Sequence, residues 1–289
     1  MDIAALQAFL AVAETGSFSR AGERVFLTQP AISKRIAALE GELGTRLFDR
    51  IGRAVYLTPA GETLLSRTRS IMNELDDVRR EIANLSGNIG GRLRLGTSHH
   101  IGLHRLPPAL KAFHAGYPDV QLDLRFMDSE AAYHAVEQGD LELAIATLPT
   151  RPSPALRCER LWDDPLAIVV GLSHPLAREK RVRMQALTEY PAVLPGVGTY
   201  TRELILSALA PVRDRIQIAM ATNYLEVLRM LAAIGLGWSA LPHTLIDAEL
   251  KVVQIEKVHI RRELGLITHV SRTLSNAAAA MIQTVKTTA

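Results

Sequence analysis

The chain begins with apolar side chains that recur every three or four residues, the spacing of amphipathic helices with one buried face. Three such helices are predicted, over residues 2–14, about 18–25 and about 29–39. Asp2 can cap the first helix and Gly16 can end it. The pattern therefore predicts a small helical domain at the beginning of the chain.

Residues 47–58 change from the helical period to short β-type runs that flank a tight turn at Gly52. Three short helices followed by a hairpin are the pattern of a winged helix-turn-helix, whose third helix lies in a DNA major groove. Gln29 suits adenine there, and Lys34 or Arg35 suits guanine or phosphate. Short hydroxyl donors and wing arginines complete the candidate DNA-contacting set: Ser17, Thr28, Ser33, Arg50 and Arg53.

Neither the helical pattern nor the charge decides this function by itself. Small amphipathic helices are common packing elements, and residues 1–58 carry seven basic side chains against six acidic ones. The whole chain of 289 residues has a formal net charge of +3, which permits a nucleic-acid partner without arguing for one.

A long helix is predicted from Pro59 to about Leu85, with Thr58 as its N-cap and proline at its first position. Its apolar residues repeat every seven positions, with Thr68 as the one polar interruption, and this pattern predicts pairing with a second helix. The residues proposed to form the dimer seam are Leu64, Ile71, Leu75, Val78, Ile82 and Leu85.

Beyond a glycine-rich linker at 87–91, strand and helix patterns alternate, which is typical of α/β architecture. Strands are predicted at 93–96, 120–126, 141–146, 166–170, 192–194, 216–221, 238–241 and 264–270. Helices are predicted at about 100–115, 129–138, 200–209, 223–233 and 274–286.

Polar residues stand at the carboxyl ends of several of these strands, where open α/β sheets bind their ligands. Free N–H groups at helix starts favour an anion. We therefore expect a small carboxylate or oxyanion effector to bind at Thr97, Ser98, His99, His100, Thr147, Thr199, Tyr200, Thr201, Thr222 and Asn223. Taken singly, the hydroxyl and amide residues among them are also ordinary helix N-caps.

Histidines and the single cysteine raise two further possibilities. His100 and His104 are four residues apart on a helix face, but histidines without a nearby carboxylate make a weak zinc site, and we expect no metal and no cofactor. Cys158 lies between arginines that could lower its pKa, as in a redox sensor, yet the chain holds no second cysteine to resolve it.

An enzyme and a stand-alone solute-binding protein are the competing functions. The sequence has no phosphate-binding glycine loop and no nucleophile elbow, and the adjacent carboxylates Asp163 and Asp164 are expected to point apart and be solvated. An exported binding protein needs a signal peptide, and residues 1–87 would be unexplained. Without such a leader or an apolar run of ~18–20 residues, we expect a cytoplasmic protein with no membrane contact.

Several separate blocks of the first 65 residues resemble the DNA-binding domain of LysR-type transcriptional regulators. The matching blocks are FLAVAETGSFS from Phe9, TQPAIS from Thr28, IAALE from Ile36, LGTRLFDR from Leu43 and LTPAG from Leu57. One departure is Gly22, where the family usually has alanine and glycine costs ~1 kcal/mol of helix stability. The resemblance implies DNA contact at Ser17, Phe18, Ser19, Thr28, Gln29, Pro30, Ala31, Ser33, Lys34, Arg35, Arg50 and Arg53.

The resemblance continues through the whole chain, in LGTS from Leu95, GDLELAI from Gly139 and GLGWSALP from Gly235. It implies two effector-binding subdomains of periplasmic-binding-protein-like topology, with chain crossings near Leu161-Trp162 and Arg262-Glu263. The expected domains are 1–58 (winged helix-turn-helix), 59–88 (dimerisation helix) and 89–289 (effector domain, with subdomain I at 92–161 and 263–289 and subdomain II at 162–262).

The function implied by the resemblance is that of a transcriptional regulator, not an enzyme. A small anionic effector between the subdomains would control its activity. The partners implied are double-stranded DNA and a second copy of the chain, in a homodimer or homotetramer, with RNA polymerase as a candidate.

Overall fold

The computed structural model describes residues 1–51 and 54–289, which form two units, Met1–Arg80 and Glu81–Ala289. The predicted turn at Gly52 lies outside the described residues. The first elements are α1 (Ile3–Thr15), α2 (Phe18–Arg24), α3 (Gln29–Leu43), β1 (Phe48–Ile51), β2 (Ala54–Leu57) and α4 (Pro59–Asn84). Strands β1 and β2 pair as the predicted antiparallel hairpin.

Capping groups fix the ends of the first helices. The Asp2 side chain accepts a hydrogen bond from the Ala5 backbone N at 2.6 Å, and Gly16 (φ 61°) ends α1 in the left-handed conformation. Both ends are confirmed as the sequence predicts them. Helix α3 runs past its predicted end to Leu43, because the left-handed Gly44 (φ 66°) is the residue that can stop it.

Aromatic side chains from the helices and the hairpin share the core of the first unit. The ring centroid of Phe48 lies 5.3 Å from that of Phe9 and 5.9 Å from that of Phe18. Glu40 of α3 accepts hydrogen bonds from the backbone N atoms of Leu47 (2.7 Å) and Phe48 (3.3 Å). These charge-assisted bonds hold α3 and the first strand of the hairpin in a fixed relation.

Gly22 lies at a close approach of two backbone segments. A Cβ atom at this position would lie 2.6 Å from the Leu27 carbonyl oxygen. The helix-propensity cost of glycine is offset at this position, because the gain from alanine would be smaller than the cost of the clash.

We predict that Gly22→Ala lowers the free energy of unfolding by about 1–3 kcal/mol, because the backbone must shift to admit the methyl group. Urea unfolding measures this change. Gly41→Ala is the matched control, since Gly41 is also helical but a Cβ there meets nothing within 4 Å. The control should gain about 0.5–1 kcal/mol, and a similar gain in Gly22→Ala would contradict the explanation.

The second unit has the predicted α/β architecture. Its elements are β3 (Gly91–Thr97), α5 (His99–His104), α6 (Pro107–Gly116), β4 (Val120–Phe126), α7 (Ser129–Gln138), β5 (Leu143–Thr147), β6 (Leu156–Gly171), β7 (Ala192–Leu194), α8 (Tyr200–Ala208), β8 (Ile218–Ala221), α9 (Leu225–Ala233), β9 (Ser239–Pro242), β10 (Leu250–Val252), β11 (Ile260–His269) and α10 (Asn276–Thr288). The main sheet has the strand order β10-β6-β11-β5-β3-β4, with β9 also paired to β6, while β7 and β8 form a separate parallel pair.

Two long antiparallel strands, β6 and β11, run through the whole second unit. One hydrophobic core packs β3, β5, α6 and α10 together and defines subdomain I, and another packs β7, α8 and Trp238 together and defines subdomain II. The predicted crossings, near Leu161-Trp162 and Arg262-Glu263, lie inside β6 and β11. The subdomains are therefore joined by paired strands.

Three predicted elements differ from those observed. The single helix expected at 100–115 is two helices, because Pro107 has no N–H to continue α5 and instead begins α6. Strands β6 and β11 begin well before their predicted starts, and the short strand β10 was not predicted. No helix among the described residues is long and apolar enough to cross a membrane.

Candidate functional site

The first candidate site is the outer face of α3. Thr28 caps this helix by accepting a hydrogen bond from the Ala31 backbone N at 3.4 Å. Gln29 and Lys34 are exposed, and the Gln29 side-chain amide donates to the Ser33 hydroxyl at 2.9 Å. The start of α3 thus presents an amide, a hydroxyl and an ammonium group together, while its opposite face is buried.

The remaining predicted DNA-contacting residues differ in their accessibility. Ser17 caps α2, Ser19 and Pro30 are exposed, and Arg35 is half-buried. Phe18 packs in the core against Phe48, so its ring is not available for contact. Arg53 lies outside the described residues, as does the side chain of Arg50.

The second candidate site is a cleft between subdomains I and II with a cavity of about 50 Å³. Seven of the predicted effector residues line it: Ser98, His99, His100, Thr147, Thr199, Thr201 and Asn223. They come from the carboxyl ends of β3 and β5, the start of α8 and the loop before α9. The cleft lies where the strand-end argument places it.

Three predicted effector residues lie off this cleft. The Thr97 hydroxyl is buried and donates to the Ile145 carbonyl at 2.9 Å, which ties β3 to β5. The Thr222 hydroxyl accepts a hydrogen bond from the Tyr224 backbone N at 3.4 Å. The Tyr200 ring lines a different pocket, and burial raises the pKa of its hydroxyl to about 12.

A buried arginine on β11 was missed by the sequence reasoning. Arg262 lines the cleft and is 4% exposed. Its Nε donates to the Asp164 carboxylate at 2.6 Å and its Nη1 to the Thr201 hydroxyl at 3.3 Å, while Arg105 reaches the same carboxylate at 3.3 Å. Burial lowers the pKa of Arg262, and Asp164 opposes that effect. Two guanidinium groups thus share one carboxylate.

The prediction that Asp163 and Asp164 are both solvated is wrong for Asp164, which is 1% exposed. Neighbouring strand residues do point apart, and Asp163 is exposed beside Arg160. Asp164 lies two residues before the buried Leu166 and therefore on the same face of β6. Arg262 likewise lies two residues before the buried Leu264 on β11. This period-two pattern was the signal that could have located the buried pair.

Two carboxylates at the start of α7 bridge the cleft. Glu130 accepts a hydrogen bond from the Tyr200 backbone N at 2.6 Å, and Asp128 accepts one from the Asn223 side-chain amide at 2.7 Å. The Asn223 carbonyl oxygen in turn accepts from the Gly196 backbone N at 2.8 Å. Each of these carboxylates therefore already has a donor from the opposite subdomain.

Histidines form the other side of the cleft. Burial, followed by the charge of Arg262, lowers the pKa of His100 to about 4, so its imidazole is neutral near pH 7. The ring centroid of His99 lies 4.7 Å from that of Tyr224. His104 contacts Glu226 of α9, with 3.1 Å between Nε2 and Oε1.

Cys158 does not have the environment of a redox-sensing thiolate. Burial raises the pKa of its thiol, so the group stays protonated near pH 7. The expectation that the flanking arginines could lower this pKa is wrong, because desolvation by burial dominates.

Both units of the chain match families of known proteins. Residues 3–62 match the family described as "Bacterial regulatory helix-turn-helix protein, lysR family", and residues 86–289 match "LysR substrate binding domain". The uncharacterized HTH-type transcriptional regulator YfeR of Shigella flexneri is 33% identical over 285 residues, covering 97% of this chain and 92% of that protein.

Solved structures share the fold. A full-length OxyR variant from Pseudomonas aeruginosa has a TM-score of 0.73 at 23% identity, covering 99% of this chain and 95% of that one. CbnR complexed with its target DNA has a TM-score of 0.65 at 21% identity, covering 100% of both chains. The matched regulators belong to a non-enzymatic family whose members bind DNA and form oligomers. The chain is a member of the LysR family of transcriptional regulators, with an N-terminal helix-turn-helix and a periplasmic-binding-protein-like effector domain.

Proposed function

We propose that this regulator reads its operator with the exposed start of α3 and responds to a small anion bound between subdomains I and II. Two chains pair through α4, so that two recognition helices meet a two-fold-related DNA site. Pairing of dimers into a tetramer and contact with RNA polymerase extend the same proposal. A regulator acting on bacterial DNA works in the cytoplasm.

The single observation that supports an anionic effector concerns one nitrogen atom, Nη2 of Arg262. Arg262 lines the cleft, and this buried atom has no hydrogen-bond partner among the described residues. A buried donor without a partner costs about 1–3 kcal/mol, more when it is charged. Since Arg262 and Arg105 share the charge of Asp164, an anion in the cleft would supply both the missing acceptor and the missing negative charge.

The small cavity and its two carboxylates restrict the effector further. About 50 Å³ holds a few heavy atoms, the size of an inorganic oxyanion or the carboxylate end of a small acid. Asp128 and Glu130 keep their negative charges, because the donors from subdomain II that engage them are neutral, so the anion is expected on the Arg262 side of the cavity. Those bonds also join the subdomains, so an effector that competes for their donors changes how tightly the cleft closes.

An effector can shift the regulator only through a difference in affinity between two arrangements of the subdomains. In the proposed mechanism, an anion on Arg262 and the hydroxyl of Thr201 favours one arrangement. The DNA-bound oligomer would then change its geometry. The effector residues proposed for this step are Ser98, His99, His100, Thr147, Thr199, Thr201, Asn223 and Arg262.

The Gln29→Ala variant tests the DNA-reading part of the proposal. We expect operator binding to weaken by about 1–3 kcal/mol, because a bidentate contact to a base edge is lost. The measurement is a titration at fixed salt with a fragment that the full chain enriches from genomic DNA. Gln7→Ala, at an exposed position of α1, is the control and should bind as the natural chain does. Unchanged specific affinity in Gln29→Ala would refute the base-reading role.

The Ser98→Ala variant tests the cleft. Ser98 lines the cavity, and its side chain does not cap α5, so its removal should weaken the response to an anion without unfolding the helix. We expect operator binding without effector to stay unchanged, while the anion concentration for half-maximal response rises about tenfold, the equivalent of one lost hydrogen bond of ~1.4 kcal/mol. An unchanged response to the anion would contradict this role, whereas loss of both functions would indicate misfolding.

A further inference from the structure

A second chemically distinct cluster borders the cleft. His100 and His104 lie four residues apart on α5, and Glu226 of α9 approaches both. The distance from Glu226 Oε1 is 3.1 Å to His104 Nε2 and 3.8 Å to His100 Nδ1. One ligand atom from each of the three side chains lies within 4.8 Å of the other two. Two imidazoles and one carboxylate are therefore brought together by separate subdomains.

The buried imidazole of His100 gives an independent indication of a ligand. His100 is 3% exposed, and its Nδ1 has no hydrogen-bond partner in the part of the chain that the structure describes. Its Nε2 lies 3.4 Å from the Thr244 hydroxyl. If Nε2–H donates to Thr244, the lone pair of Nδ1 faces Glu226, which is the tautomer that a metal ligand requires.

We propose that His100 Nδ1, His104 Nε2 and Glu226 Oε1 bind a divalent transition metal ion of the Zn²⁺ class. Two nitrogens and one oxygen are a ligand set that zinc accepts, with the fourth position left to water or an anion. Tetrahedral ligands about 2.0–2.1 Å from zinc lie about 3.3 Å apart. The His104–Glu226 distance of 3.1 Å is already close to that value, and the His100–Glu226 distance of 3.8 Å would have to shorten by about 0.5 Å, through a movement of the half-buried Glu226 side chain.

The charges around the cluster are compatible with a dication. After burial, the positive charge of Arg262 is the main cause that lowers the pKa of His100, and the hydrogen-bonded carboxylate of Asp164 offsets that charge. Glu226 adds a further negative charge. Metal ligation needs both imidazoles unprotonated, so zinc affinity should fall at low pH.

The metal would join the subdomains, because the histidines belong to subdomain I and Glu226 to subdomain II. A bound ion would hold α5 and α9 together at the edge of the effector cleft. The sequence alone could not place a carboxylate beside the two histidines, because Glu226 lies 122 residues after His104. This site makes the closure of the cleft sensitive to metal as well as to the effector.

Zinc binding to the full chain tests the proposal. The purification tag is removed and the protein is dialysed against chelator, and Zn²⁺ affinity is then measured by competition with a chromophoric chelator. We expect one Zn²⁺ per chain, and loss of a ligand in His104→Asn or Glu226→Gln should weaken binding by more than the 10–100-fold typical of outer-shell changes. The same variants should lose the visible absorption of tetrahedral Co²⁺ in the cobalt-loaded protein.

His134→Asn is the matched control, because the exposed His134 lies outside the cluster and pairs with the Glu137 carboxylate at 3.4 Å. It should bind zinc as the natural chain does. Thr244→Val should weaken binding about 10–100-fold if the Thr244 hydroxyl orients His100. Circular dichroism verifies that each variant is folded. Absence of stoichiometric binding, or binding that is unchanged in folded His104→Asn and Glu226→Gln, would overturn the proposal.

Discussion

Replacing Arg262 with methionine is expected to lower the free energy of unfolding of the full chain by about 3 kcal/mol, the low end of the cost of breaking a buried ion pair. The reason is the carboxylate left behind: Asp164 is buried and, among the described residues, would keep only Arg105 as an ion-pair partner, at 3.3 Å. A loss of this size corresponds to a fall in the thermal unfolding midpoint of about 6–12 °C.

The matched control is Arg229→Met. Arg229 also contacts two carboxylates, Asp247 at 2.5 Å and Glu249 at 3.0 Å, but these partners are exposed. Its loss should cost at most about 1 kcal/mol. The double variant Arg262→Met/Asp164→Leu should recover stability over Arg262→Met, because it removes the stranded charge. An Arg262→Met midpoint as high as that of Arg229→Met would show that the buried pair does not stabilise the strands joining the subdomains.

The Val78→Asp variant is expected to dissociate the dimer. Four apolar side chains of the α4 seam are exposed in the single chain, with Ile82 65% and Leu85 87% exposed, whereas Leu64 and Leu75 are half-buried and Leu64 packs on the core of the first unit. A two-fold pairing of α4 would bury Val78 from both chains, so the variant would place two carboxylates in an apolar seam. We expect the dimer dissociation constant to rise at least about 100-fold, equivalent to ~2.7 kcal/mol. Sedimentation equilibrium over a concentration series measures it.

Operator binding should fall together with dimerisation in Val78→Asp, because two half-sites are read by two recognition helices. Ser70→Asp is the control: it adds the same charge to α4 at an exposed position outside the seam, where the Ser70 hydroxyl donates to the Ser66 carbonyl of its own helix. It should remain a dimer. A dimeric Val78→Asp, or a Ser70→Asp that dissociates equally, would place the interface elsewhere.

Local signals in the sequence were sufficient for most of the elements. Asp2 and Gly16 delimit α1 because capping chemistry depends on neighbouring residues only. The strand ends that carry Ser98 and Thr147 also converge as expected, since parallel strands place their carboxyl ends at one edge of a sheet.

Contacts between distant segments could not be derived in the same way. Asp164 and Arg262 are 98 residues apart, and nothing local relates them before β6 and β11 are paired. The crowding at Gly22 likewise depends on how the chain turns back at Leu27, which helix propensity does not contain. The break at Pro107 between α5 and α6 is a different case, because it depends on a local signal. The sequence could have predicted it, although the single helix expected at 100–115 did not include it.

The most direct test of an anion-gated regulator is the thermal unfolding midpoint of the full chain against a panel of inorganic oxyanions and small carboxylic acids, each acid paired with its neutral amide. An effector at ~100 times its dissociation constant should add about 2.7 kcal/mol of stability. We expect at least one anion to raise the midpoint by several degrees, its amide to leave the midpoint unchanged, and Arg262→Gln to abolish the shift. Equal shifts with the amide, an anion shift that persists in Arg262→Gln, or a chain that no anion stabilises would contradict this expectation.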